Sequence, residues 1–121
     1  MDRNERSATS SIEATIIDYI EGWYEGDVAR MDRSLHDDLV KRIPEDAGTG
    51  ELREVSKERM VRLTEEGGGG TPGATYEIEV HHVSGPIACA RVRSLDYLDY
   101  LQLIRTDRGW QIANVLFRTH D

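Results

Sequence analysis

Residues 97–117 read YLDYLQLIRTDRGWQIANVLF. Apolar side chains crowd Tyr97–Ile104 and again Trp110–Phe117, and Thr106-Asp107-Arg108-Gly109 separates the two runs. A polar four-residue segment with glycine last suits a hairpin loop that needs one left-handed residue. The stretch therefore predicts two long antiparallel strands. Both faces of this ribbon carry large apolar groups, so both call for cover. A layer of helices can supply one cover, and a partner subunit or a ligand the other.

Immediately upstream the same period of two continues. Tyr76, Ile78 and Val80 alternate with Glu77, Glu79 and His81, and Ser84-Gly85-Pro86 makes a turn. From Ile87 to Arg93 the small or apolar Ala88, Ala90 and Val92 oppose Cys89, Arg91 and Arg93. Ser94-Leu95-Asp96 is a second turn, leading into the ribbon. Ala88 and Ala90 leave room for a closely packed helix or an open concave face.

The first half of the chain has helical spacing. Residues 1–9 read as a frayed tail, and 10–121 as one domain. Ser10 and Glu13 fit a capping box. Ile12, Ile16, Tyr19, Ile20 and Trp23 then share one face of a helix, widened by Ile17 and Tyr24. Gly26 can end that helix, and Asp27 can cap a short second one with Val28, Met31 and Leu35 inward. Leu39–Ile43 suits a short strand stopped by Pro44, and 45–54 reads as a loop. Ser56 can cap a third helix, with Val55 and Met60 at the spacing of a hydrophobic staple. Gly67–Gly70 and Thr71-Pro72-Gly73 read as a flexible linker to the sheet; a phosphate cradle would need a following helix and lysine. Helices first and hairpin-linked strands after them predict an α+β domain, with helices on one face of an antiparallel sheet.

Composition narrows the partners. The 121-residue chain carries a formal charge of −8, which disfavours nucleic acid and anionic membrane surfaces. No apolar run reaches the roughly 20 residues of a membrane helix. Cys89 is the only cysteine, so no internal disulfide forms and a cytoplasmic location is expected. The four histidines show no metal-ligand spacing, so neither a metal nor a cofactor is expected. Cys89 itself reads as a small buried residue.

Taken in order, Tyr19-Ile20-x-Gly22, Gly26-Asp27, Asp99-Tyr100-Leu101 and Gly109-Trp110-x-Ile112 resemble the Putative lumazine-binding family within the NTF2-like, SnoaL-like superfamily. The resemblance runs from about Ile12 to Phe117. It implies an NTF2-like cone: a curved, mostly antiparallel sheet packed against three helices, with a cavity between the first helix and the concave face. It also implies a homodimer formed through the sheets. Relatives include small-molecule isomerases, cyclases and dehydratases. Ketosteroid-isomerase-like members carry an acidic base on the first short strand, where this chain has Leu39-Val40-Lys41-Arg42-Ile43. Dehydratase-like members pair two histidines in the pocket; His81 and His82 are adjacent and would face opposite ways.

Within that frame the candidate ligand-binding residues are Tyr19 and Trp23 on the first helix, and Tyr97, Trp110 and Asn114 on the ribbon. Aromatic rings there would stack on an aromatic or heterocyclic small molecule. Asp99 is the candidate catalytic residue, a carboxylate in an apolar strand. Without a cationic partner, burial raises its pKa and makes it a proton acceptor, with Tyr97 or Tyr100 beside it. With Arg91 or Arg93 as its partner it would serve the fold, and this pairing is the expectation. Three functions follow: a small-molecule-binding domain, an acid/base isomerase or cyclase, or a dimeric interaction module with a filled core.

Overall fold

The computed structural model describes residues 3–46 and 48–120. Met1 and Asp2 of the expected tail, Ala47 of the expected loop and the C-terminal Asp121 lie outside the described residues. Nine elements follow one another: α1 (Arg3–Glu25), α2 (Val28–Ser34), β1 (Leu35–Pro44), β2 (Leu52–Glu54), α3 (Lys57–Glu65), β3 (Tyr76–Ser84), β4 (Ile87–Ser94), β5 (Tyr97–Thr106) and β6 (Gly109–Thr119). Among the described residues no helix is long and apolar enough to cross a membrane.

The strands form one open sheet in the order β2-β1-β6-β5-β4-β3. All neighbours are antiparallel except β1 and β6, which run parallel. The Thr106–Gly109 hairpin is present, with Gly109 at φ +97°. The three helices cover one face. Ile12, Ile16, Tyr19, Ile20 and Tyr24 of α1 are buried against Ala90, Val92, Leu101, Leu103 and Ile112 of the sheet. Arg30 of α2 reaches back to Asp18, Glu21 and Glu25 of α1 at 2.8–3.1 Å, fixing the angle between these helices. The Arg33 hydrogen bond, joined by Arg30, holds the Asp18 carboxyl below its usual range.

The structure corrects several boundaries. α1 starts at Arg3, not Ser10, so residues 3–9 of the expected tail are helical. The extension has a packing reason: Ala8 lies against the core, at a depression it shares with Trp110. Leu35 belongs to β1 and not to α2, and β1 is twice the expected length. β2 lies inside the expected 45–54 loop and pairs with β1. Asp27 and Ser56 cap α2 and α3 as expected, each accepting a backbone N–H three residues on.

The glycine-rich segment is a packed loop, not a free linker. Gly69 N–H donates to the Trp23 carbonyl at 2.9 Å, satisfying an acceptor at the end of α1. A Cβ on Gly68 would sit 2.1 Å from that carbonyl oxygen, and Gly68 has φ +55°. A Cβ on Gly69 would meet the Tyr24 ring at 2.6 Å. Only glycine allows this approach.

Candidate functional site

α1, β1, α3 and the inner face of β5 and β6 do not close completely. They enclose a cavity of about 350 Å³. Its walls are Ile20 and Trp23 from α1, Ile43 from β1, Met60 and Leu63 from α3, Tyr97 from β5 and Phe117 from β6. The exposed residues of the lining, Arg53 and Glu54 of β2, Arg59 of α3 and Thr119 of β6, mark its mouth. The inner polar groups are Lys41, Tyr19 and Asp99, with Ser94 beside them.

Tyr19, Lys41 and Asp99 are each at least 96% shielded from solvent, with relative exposures of 3%, 4% and 2%. Each arrives from a different element. Tyr19 is on the sheet-facing stripe of α1. Lys41 alternates with Leu39 and Ile43 on β1, all three pointing inward while Arg42 points out. Asp99 stands on the inner row of β5 between Val92 and Phe117, its cross-strand partners. The Tyr19 hydroxyl donates to Asp99 Oδ2 at 2.7 Å, and the Lys41 ammonium donates to the Tyr19 hydroxyl oxygen. The Lys41 Nζ also lies 4.4 Å from the centre of the Phe117 ring, within cation–π range. The three side chains thus form a chain: amine, phenol, carboxyl.

Burial sets the proton affinities along this chain. It lowers Lys41 to about 8, against the opposing pull of Asp99. Burial raises Asp99 above the usual carboxylate value, opposed by Lys41 and by the Tyr19 hydrogen bond. Burial, then the neighbouring Asp99, raises Tyr19 well above its usual value, so it remains a phenol. Shifting one proton from amine to phenol and one from phenol to carboxyl turns the charged pair into a neutral one. The two forms have the same net charge and the same heavy-atom positions.

The sequence candidates separate into two groups. Tyr19, Trp23, Tyr97 and Asp99 all line the cavity. Trp110 and Asn114 do not. Trp110 is buried at the other end of α1, where Thr15 Oγ1 donates to its carbonyl at 2.8 Å. Asn114 is exposed on the outer face and donates to Gln102 Oε1 at 3.0 Å. The reason is a β-bulge. Gln102 pairs with Asn114 but Leu103 pairs with Ile112, so Ala113 is an extra residue in β6. Ile112 faces inward before it, and Val115 and Phe117 face inward after it.

Asp99 is also not paired with arginine. Arg91 and Arg93 flank Val92, the inward partner of Asp99, and so lie on the opposite face, where Arg91 pairs with Glu79 at 2.9 Å. Tyr100 is exposed there too, away from Asp99. Cys89 is only half-buried, on the same outer face. Lys41 was the residue that sequence reading missed, although its parity with Leu39 and Ile43 was visible. Among the described residues no three His, Cys, Asp or Glu side chains converge as metal ligands. The Trp23 indole N–H, beneath Gly69, is the one buried side-chain polar atom there without a hydrogen bond.

A family model described as Putative lumazine-binding matches residues 7–118, nearly the whole chain. The chain belongs to that family. None of the curated proteins matches it. Solved structures do. An NTF2-like protein of unknown function from Silicibacter pomeroyi is 19% identical, with a TM-score of 0.81 over 99% of this chain and 100% of that one. Another, from Shewanella baltica, is 16% identical, with a TM-score of 0.82 over 100% and 98%. A ketosteroid isomerase-like protein from Erwinia carotovora atroseptica is 20% identical, with a TM-score of 0.66 over 93% and 95%. At these identities the likeness is one of fold, and the fold is NTF2-like.

Proposed function

We propose that this family member binds a small, mostly apolar molecule in the cavity between α1, α3 and the sheet. In this reading an oxygen of the ligand takes hydrogen bonds from the Tyr19–Asp99 pair. One observation carries it: a buried chain of three polar groups lines a cavity whose other inner walls, Ser94 apart, are apolar. Apolar residues of similar volume fill a core at least as stably as buried ions do, so the fold has no need of these three. Pockets of a few hundred Å³ with few, convergent polar groups are the usual form of ligand sites. A phenol backed by a carboxyl of raised pKa also suits proton transfer next to a ligand oxygen. The family description and the isomerase-like neighbour agree with a ring-bearing ligand that carries oxygen. Two copies of the chain associate through the outer sheet face, which leaves the cavity open.

The test is a thermal-shift screen of bicyclic heterocycles and ring ketones, since a ligand of the folded state raises the melting temperature. Hits are expected to saturate, and to bind Tyr19→Phe about tenfold more weakly for one lost hydrogen bond. Trp23→Ala, which removes a cavity wall, should weaken them as well. A library with no saturable hit, or hits indifferent to both substitutions, would sink this reading.

A further inference from the structure

We propose that Lys41 is a nucleophile, whose amine condenses reversibly with the carbonyl carbon of an aldehyde or ketone held in the cavity, while Tyr19 and Asp99 carry the proton. The proposal rests on the reading of the cavity as a small-molecule site and names the chemical class that site would take.

Placement supports it first. Lys41 is almost wholly buried, yet it lines the cavity. Among the described residues no carboxylate lies within ion-pair distance of Nζ; the Tyr19 phenol stands between it and Asp99. The other lysine makes a contrast. Lys57 is held directly by Asp37 at 3.0 Å and Asp32 at 3.5 Å, as a structural cation would be. An amine joined to its carboxyl through a phenol can pass its proton along and become a free base. A desolvated lysine in an apolar pocket is the usual form of an imine-forming residue. Lowering the amine to about 8 raises the neutral fraction at pH 7 roughly 10²-fold over an ordinary lysine.

The step balances without an outside reagent. It begins from the neutral amine and the protonated Asp99. The Lys41 nitrogen lone pair forms a bond to the carbonyl carbon, and the carbonyl π pair moves to oxygen. A proton passes from nitrogen to that oxygen through Tyr19, giving a carbinolamine. The Asp99 proton, relayed by Tyr19, then lets the hydroxyl leave as water, and the nitrogen lone pair closes the C=N bond. The products are water, a protonated imine and an Asp99 carboxylate. That carboxylate neutralises the new cation inside a site that would otherwise penalise it. Addition of water reverses every step.

Reductive trapping tests this on the unaltered protein, because the chain has only two lysines. Benzaldehyde or acetophenone is added with sodium cyanoborohydride at pH 7, and peptide mass mapping separates Lys41, Lys57 and the N-terminal amine. One reduced adduct on Lys41, in at least about tenfold excess over Lys57, is expected, because the Lys41 amine is desolvated in the cavity while Asp37 and Asp32 hold Lys57 as a cation. Tyr19→Phe should slow trapping at least about 10²-fold, and Lys41→Met should abolish it while the N-terminal amine still reacts. A carbonyl compound that raises the melting temperature but leaves Lys41 unmodified overturns the imine and spares the cavity reading. Equal labelling of Lys41 and Lys57 also overturns it. If no compound shifts the melting temperature and no adduct forms, both readings fall.

Discussion

Lys41 and Asp99 differ from ordinary surface charges because burial penalises the ionised form of each. For Lys41 the folded value of about 8 lies below the ordinary 10.5. A depressed lysine contributes stability that is present above its unfolded pKa and is lost as pH falls through the folded one. Asp99, raised by burial, has the opposite dependence: its contribution is present below the ordinary carboxylate value and is lost as pH rises through its folded pKa. Comparing the parent with Lys41→Met isolates the amine. Between pH 7 and 9.5 the unfolded amine stays mostly protonated while the folded one does not. The parent should therefore gain about 2 kcal/mol over the variant across that interval. Urea unfolding of both proteins at the two pH values measures this. Parallel responses would show that Lys41 titrates as an exposed lysine does.

At the scale of elements, the loop after α3 is as much part of the site as the helices. Gly68 and Gly69 pack onto the end of α1, over the Trp23 indole that forms a cavity wall. Gly68→Ala would drive a methyl group into the Trp23 carbonyl and force a side chain into positive φ. A loss of roughly 2–3 kcal/mol in urea unfolding is expected from overpacking with a strained backbone. Gly73→Ala is the control for φ alone. Its φ is +78° but a Cβ there meets nothing within 4 Å, so its cost should be about 1 kcal/mol. Equal costs at the two positions would show that the close packing over Trp23 contributes nothing.

At the scale of the whole molecule, the outer sheet face is the surface through which the proposed dimer forms. Tyr100 and Leu116 are cross-strand partners on it, 49% and 50% exposed, and Ile87, 55% exposed, lies farther along the same face, opposite Ile104. Large apolar groups left exposed on a sheet face mark an association surface. Light scattering at micromolar concentration should give twice the 13.7 kDa chain mass. Leu116→Arg should return it to a single chain without altering the cavity on the other face. A parent that remains monomeric at high concentration would rule the dimer out.

Local pattern was enough for the order of the helices and of every strand but β2, the caps at Asp27 and Ser56, the hairpin at Gly109 and the inward stripe of α1. It was also enough for the inward parity of Lys41, although a lysine between apolar neighbours does not by itself mark a site. Such features depend on neighbours a few residues apart, through periods of two and 3.6. The site needed more. Tyr19 and Asp99 are 80 residues apart, and they meet only because α1 crosses the inner face of β5. Lys41 joins them because β1 runs parallel beside β6, a pairing between strands far apart in the chain that no hairpin dictates. One extra residue in β6 turned Asn114 outward and kept Phe117 in the cavity, since a side chain's face inverts with each residue inserted. Periodicity determined which residues point the same way within a strand; pairing, bulges and helix packing determined which of those rows face one another.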